Sequence, residues 1–277
     1  MPKPPAPPRI AGIQMVSTPS VQDNLATAAR LIAEAVRQGA ALVALPEFFP
    51  VFGAGEKRLL AAAEHDDNGP IQDWARATAK QHGIWLIAGS IPLKTADAKK
   101  CANTTLVFDP EGQRIARYDK IHLFAFDNGK EHYCEADCIV AGNTPVAFDS
   151  PFGRIGLSIC YDLRFPELFR ALGAVDLIVL PAAFTDTTGR AHWELLTRAR
   201  AVENQCYLLA VGQGGQHANR RETHGNSMIL DPWGNILDRK GKGEGIVTAL
   251  LDPQRLAEIR RELPALEHRR LPLSATA

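Results

Sequence analysis

The sequence predicts an α/β fold, a mixed β-sheet flanked by helices. Short apolar runs of strand length recur along the chain. Amphipathic helical segments alternate with them, and two pairs of strand-like runs are joined by tight turns rich in Pro and Gly. No composition shift marks a linker between Ile10 and Glu262, so a single domain over 1–277 is expected. Within it, the proline-rich Met1–Pro8 reads as a disordered lead-in and 263–277 as a tail.

Ile10–Val16 is the first expected strand. Ser20 with Asp23 three residues on forms a capping pair that opens a helix to about Gln38, closed by Gly39. On it Leu25, Ala28, Leu31, Ile32, Ala35 and Val36 recur at helical spacing and face the core. Ala41–Leu45 is wholly apolar, as befits a strand covered on both faces. Ile71–Gln81 is a helix ending near Gly83, and Ile84–Gly89 is a buried strand. Thr104–Phe108 and Arg114–Tyr118 flank Asp109-Pro110-Glu111-Gly112 as a hairpin; Val146–Phe148 and Ile155–Ile159 flank a second turn. Pro166–Leu172 is a helix with Pro in its first turn. Leu177–Leu180 is a strand and His192–Gln205 a helix. Strands at Cys206–Val211, Ser227–Leu230 and Gly245–Leu251 complete the pattern, with a turn at Asp231–Gly234.

Composition excludes several functions. The 31 Lys and Arg balance 31 Asp and Glu, which gives no electrostatic reason to expect nucleic acid or an anionic membrane as partner. No apolar run approaches the roughly 18 residues of a membrane span, and the start lacks a signal peptide's apolar core, so cytoplasm is the expected location. Five cysteines, an odd number, argue against a disulfide framework. Cys134 and Cys138, with His132 nearby, lack the second ligand pair of a structural zinc site, so no metal is expected.

Glu47, Lys120 and Cys160 each follow an expected strand, where ligands gather in open α/β sheets. Singly, each has a plain structural reading: a solvated turn, an exposed lysine, a small buried hydrophobe. Their contexts change that. Leu45-Pro46-Glu47-Phe48, Tyr118–Phe124 and Gly156–Glu167 closely resemble the three signature segments of the nitrilase superfamily of carbon–nitrogen hydrolases. The likeness continues through Pro181–Phe184, His192–Glu194, Arg198–Asn204 and His224–Ser227, from roughly Ile10 to Arg270.

The resemblance implies a four-layer αββα sandwich, a homodimer or higher homo-oligomer formed through a helical face, and a catalytic Glu47–Lys120–Cys160 triad. It also implies a second glutamate, assigned to Glu135 with Glu131 as alternative, and no metal or organic cofactor. In this reading Glu47 takes the thiol proton and later activates water. Lys120 favours the thiolate and, with the Tyr161 N–H, receives the oxyanion. Ammonia leaves and a thioester remains. Many relatives carry Arg where Asp119 stands here. Because an extended chain alternates its side chains, Asp119 is expected to point away from the triad.

Cys160-Tyr161-Asp162-Leu163-Arg164 is similar to the branch of deaminated-glutathione amidases and ω-amidases, whose substrates are small anionic amides of a 2-oxo acid. Arg164 is a candidate carboxylate anchor, a structural ion pair being the equal alternative. Phe184, Thr185 and His192, with Trp193, are candidates for the pocket wall. Arg198–Tyr207 and the basic loop Gln216–Glu222 favour the deaminated-glutathione side. Arg220 or Arg221 could meet the extra carboxylate there, although a solvated loop is the stronger reading of both. Another N-carbamoyl or nitrile hydrolase, a Cys–His enzyme using His122 or His192, and a catalytically silent scaffold are the alternatives.

Overall fold

A computed structural model describes residues 7–53 and 55–271; most of the expected lead-in and the last six residues of the expected tail lie outside them. The chain begins β1 (Arg9–Gln14), α1 (Val21–Arg37), β2 (Ala40–Ala44), α2 (Glu56–Ala61), α3 (Pro70–His82) and β3 (Trp85–Ile87). It continues through β4 (Ile91–Lys94), β5 (Cys101–Phe108), β6 (Arg114–Asp119), β7 (Ala125–Asp127), β8 (His132–Cys134) and β9 (Ile139–Val140). Next come β10 (Ala147–Ser150), β11 (Gly153–Leu157), α4 (Pro166–Ala171), β12 (Leu177–Ala182) and α5 (Asp186–Asn204). The last elements are β13 (Tyr207–Gly212), β14 (Ser227–Leu230), β15 (Ile236–Lys240), β16 (Gly245–Leu250) and α6 (Pro253–Glu262). Single 3-10 turns sit at Glu135–Asp137 and Cys160–Arg164.

Two large sheets stand where periodicity alone suggested one. The first runs β16-β1-β2-β3-β5-β4, with β6 and β9 also paired to β5; the second runs β10 to β15 in chain order. Strand alternation explains how they stack. On β1 and β2, Ile10, Leu42 and Ala44 point into the core shared with Leu157, Val179 and Leu209 of the second sheet. Their neighbours Ala11, Ile13, Val43 and Leu45 face Ala28, Leu31 and Ile32 of α1 and Ile71 and Ala75 of α3. Leu168 and Phe169 of α4 and Trp193 and Ala201 of α5 cover the far side of the second sheet. The result is the four-layer αββα sandwich. Gly12 lets the sheets approach closely, since a Cβ there would lie 2.9 Å from side-chain carbons of Leu209 and Val211.

Local signals account for most boundaries. Ser20 caps α1 by accepting from Asp23 N, and Gly83 ends α3 in the left-handed region. Both expected hairpins form, β5 with β6 and β10 with β11. The helix expected from His192 instead starts at Asp186, because Thr185 accepts from Thr188 N as its cap. Helix α6 was not expected; Asp252 caps it and Pro253 opens it. No helix among the described residues is long and apolar enough to cross a membrane.

Candidate active site

Glu47 lies in the turn after β2, Lys120 directly follows β6, and Cys160 opens the turn after β11. All three are buried, with Lys120 at 0% exposure, Glu47 at 1% and Cys160 at 7%. The turn carrying Glu47 is clamped from several sides. Gln213 Nε2 donates to Glu47 O at 3.1 Å, and Phe48 N donates to Ser90 Oγ at 3.0 Å. Gly89 approaches so closely that a Cβ would lie 2.1 Å from Pro46 O, and its φ of +49° suits glycine.

Lys120 Nζ donates to Glu47 Oε1 at 2.9 Å and to both oxygens of Glu135, at 2.9 and 2.8 Å. Glu47 also accepts from Asn103 Nδ2 at 2.9 Å and from Ala183 N at 2.8 Å. Glu135 is fixed further by Phe124 N at 2.7 Å. Of the two candidate second glutamates, then, Glu135 reaches the lysine. Glu131 instead accepts from Thr187 Oγ1 at 2.7 Å near the surface. Asp119 points away as expected, bound to Thr104 Oγ1 and Arg117.

Cys160 adopts φ of +49°, a left-handed conformation that costs a non-glycine residue about 1–3 kcal/mol. Asp162 holds this turn in place, accepting from Ile159 N at 2.8 Å and from Tyr118 OH at 2.7 Å. It also engages His122, whose Nδ1 lies 2.7 Å from Asp162 Oδ1 and whose ring stacks on Phe165 at 3.8 Å. That imidazole is committed to a structural pair. The Tyr161 N–H has no hydrogen-bond partner among the described residues and remains free to donate.

Burial pushes the Cys160 thiol well above its ordinary pKa, and Glu47 and Glu135 add to the rise. Lys120 and the Ala183 N–H oppose the rise without cancelling it. Burial with the two carboxylates thus outweighs Lys120, which still pulls toward the thiolate as expected. Burial also opposes the charge of Lys120, but Glu135 and Glu47 outweigh it and hold its pKa above the ordinary value. Glu135 is raised, by burial first and by Glu47, against the pull of Lys120.

Glu47, Glu135, Cys160, Tyr161, Phe184, Thr185 and Arg221 line one constricted cavity of about 10 Å³. Phe124, Glu135 and Arg221 also line an adjoining cavity of about 280 Å³. Arg164 lies outside both, over the rings of Tyr161 at 5.7 Å and Phe184 at 5.3 Å. It pairs with no carboxylate among the described residues; its Nη1 lies 3.2 Å from His192 Nδ1, at the surface. His192 therefore lines neither cavity, while Thr185 caps α5 at the cavity wall. Arg220 is exposed, as a solvated loop requires, but Arg221 is not. No group of three or more His, Cys, Asp or Glu side chains among the described residues could hold a metal ion. Sequence reasoning missed Asn103, and it held Arg221 more strongly as a solvated-loop residue than as a carboxylate anchor. The available signal for the first was an asparagine inside an otherwise covered strand.

The model of the family described as carbon-nitrogen hydrolase matches residues 9–261. The chain belongs to the carbon–nitrogen hydrolase family. Among curated members, a deaminated glutathione amidase from Synechocystis is 42% identical over 94% of this chain and 97% of its own length. An ω-amidase from Xenopus laevis is 39% identical over 95% of each chain. The crystal structure of the C. elegans NitFhit protein superposes with a TM-score of 0.89 at 37% identity, over 97% of this chain and 67% of that one. Like these carbon–nitrogen hydrolases, the chain is a hydrolase of the nitrilase superfamily acting on C–N bonds.

Proposed function

We propose that the chain is a cysteine amidase for small 2-oxo-acid amides, with deaminated glutathione as the leading substrate. The observation that carries this reading is the lysine held between Glu47 and Glu135 against the buried thiol of Cys160. Cys160 Sγ attacks the amide carbon as its proton passes to Glu47. The sulfur needs this base because burial and the two carboxylates hold its thiol pKa well above the ordinary value. Lys120 Nζ and the Tyr161 N–H receive the oxygen as it gains negative charge. Collapse breaks the C–N bond, and the amine leaves with the proton from Glu47. Water, deprotonated by Glu47, then cleaves the thioester. Glu135 positions Lys120.

The amine released depends on the substrate. A primary amide such as α-ketoglutaramate yields ammonia. Deaminated glutathione joins its 2-oxoglutaryl group to the amine of cysteinylglycine, and so releases that dipeptide. The ω-amidase reading is the alternative, supported by the 39% identity to a relative of that name. The cavity of about 280 Å³ beside Cys160 favours the larger amide.

A cytoplasmic homodimer completes the proposal. Leu195 and Val202 on α5 and Trp233 in the turn between β14 and β15 are exposed apolar groups, and Val202 lies against Gly234. The test is a ranking of specificity constants for deaminated glutathione, α-ketoglutaramate, an N-carbamoyl amine and a nitrile. Deaminated glutathione should rank first, and preference for the nitrile or carbamoyl compound would overturn the reading.

A further inference from the structure

We infer that Arg221 anchors a carboxylate on the amine half of the substrate, seated in the cavity beside Cys160. This inference rests on the proposed amidase reading and extends it to a part of the substrate remote from the scissile bond. Arg221 lines both the constricted space at the thiol and the adjoining cavity of about 280 Å³. Among the residues lining the larger space it is the only lysine or arginine. Glu56, Asp137 and Glu135 line that space too, yet no carboxylate among the described residues comes within salt-bridge distance of its guanidinium. Glu135 is already committed to Lys120 and Phe124 N.

The guanidinium lies over the rings of Phe52 at 5.1 Å and Tyr133 at 4.6 Å. Its Nη2 donates to Ala183 O at 3.3 Å, and its Nε is buried without a hydrogen-bond partner among the described residues. A guanidinium flanked by two rings, with an unused donor and no counter-ion, is suited to bind an anion. The backbone holds it ready. His217 N donates to Arg221 O at 2.9 Å, Arg220 N donates to His217 O at 2.8 Å, and Arg221 N donates to Asn219 Oδ1 at 3.1 Å. The His217 ring is itself fixed, 2.9 Å from Ser17 O and 2.8 Å from Thr223 Oγ1.

Arg164 rests on Tyr161 and Phe184, neither of which lines the larger cavity. Arg221 is therefore the arginine placed for the carboxylate of a dipeptide-sized amine.

The experiment compares kcat/KM for three amides with one acyl group: α-ketoglutaramate, deaminated glutathione, and its analogue with the terminal carboxylate replaced by carboxamide. Wild type should prefer the acid over the carboxamide by ~10- to 100-fold, the size of one charge-assisted contact. Arg221→Met should bring that ratio to within ~3-fold of unity, and Arg221→Lys, which keeps the charge, should leave it intermediate. Wild type that hydrolyses α-ketoglutaramate but treats acid and carboxamide alike overturns the role of Arg221 and leaves the amidase reading standing. An Arg221→Met ratio equal to that of wild type overturns it too. Failure on all three amides overturns the amidase reading itself. The wild-type ratio decides even where Arg221→Met does not fold.

Discussion

Lys120 Nζ lies 2.9 Å from Glu47 Oε1 with neither side chain more than 2% exposed, and the same ammonium holds Glu135. Such a cluster is stable only when complete. Removing one partner of a buried ion pair costs about 3–5 kcal/mol, because the remaining charge is left uncompensated. Lys120→Met should therefore lower the melting temperature by several degrees and reduce kcat/KM by at least ~10²- to 10³-fold. Calorimetry and steady-state assays on the purified variant check both.

Glu135 and Glu131 should separate cleanly. The charge of Glu135 helps raise the Cys160 thiol, so Glu135→Gln should lower the pKa of that thiol and speed its alkylation by iodoacetamide near pH 7.5. Turnover should nevertheless fall ~10- to 100-fold, because Lys120 loses a charge-assisted partner. Glu131→Gln, at the surface, should change either rate by less than ~3-fold.

Asp162 is predicted to matter more than His122. Asp162→Ala leaves the buried Tyr118 hydroxyl and Ile159 N–H without acceptors beneath the Cys160 turn. The loss should be about 2–4 kcal/mol of stability, with a fall in kcat, read by denaturant titration and initial rates. His122→Gln should retain turnover within ~10-fold. A Cys–His mechanism would instead require its complete loss.

Alkaline pH should destabilise the fold through its buried thiols. Burial pushes Cys101 and Cys206 up to about 12. Unfolded thiols ionise near the ordinary value, so the folded state binds these protons more tightly. Their contribution is intact below about pH 8.5, the unfolded value, and is lost as pH climbs toward the folded one. At pH 10 the loss is about 2 kcal/mol for each group. Tyr118, raised by burial and by Asp162, acts in the same direction at higher pH. Melting temperature should fall between pH 8 and pH 10, and less steeply in Cys206→Ala.

Much of this organisation is legible along the chain wherever the signal is local. Ser20 with Asp23 marks a helix start, and Asp109–Gly112 marks a hairpin. Glu47, Lys120 and Cys160 stand out because each sits in a long motif at a strand end. What escaped was mostly decided by distant partners. In the sequence Arg221 reads more strongly as a solvated-loop residue than as an anchor, but Phe52 and Tyr133, from two remote segments, close around it. The preference for Glu135 over Glu131 comes from the resemblance, and in the fold it is the 3-10 turn that aims Glu135 at Lys120. The early start of α5 was different, for the Thr185 cap was present but masked by Thr188 and Gly189, which are weak helix formers. The upward shift of the Cys160 thiol was also hidden, since it reflects burial first rather than its neighbours in sequence.

The most direct test is acid quenching of enzyme turning over deaminated glutathione or α-ketoglutaramate, followed by peptide mass spectrometry. A 2-oxoglutaryl group should be found in thioester linkage on the peptide containing Cys160 and should be missing in Cys160→Ala, which should also be inactive. An acyl group carried by another residue, or undiminished turnover by Cys160→Ala, would contradict nucleophilic catalysis at this thiol.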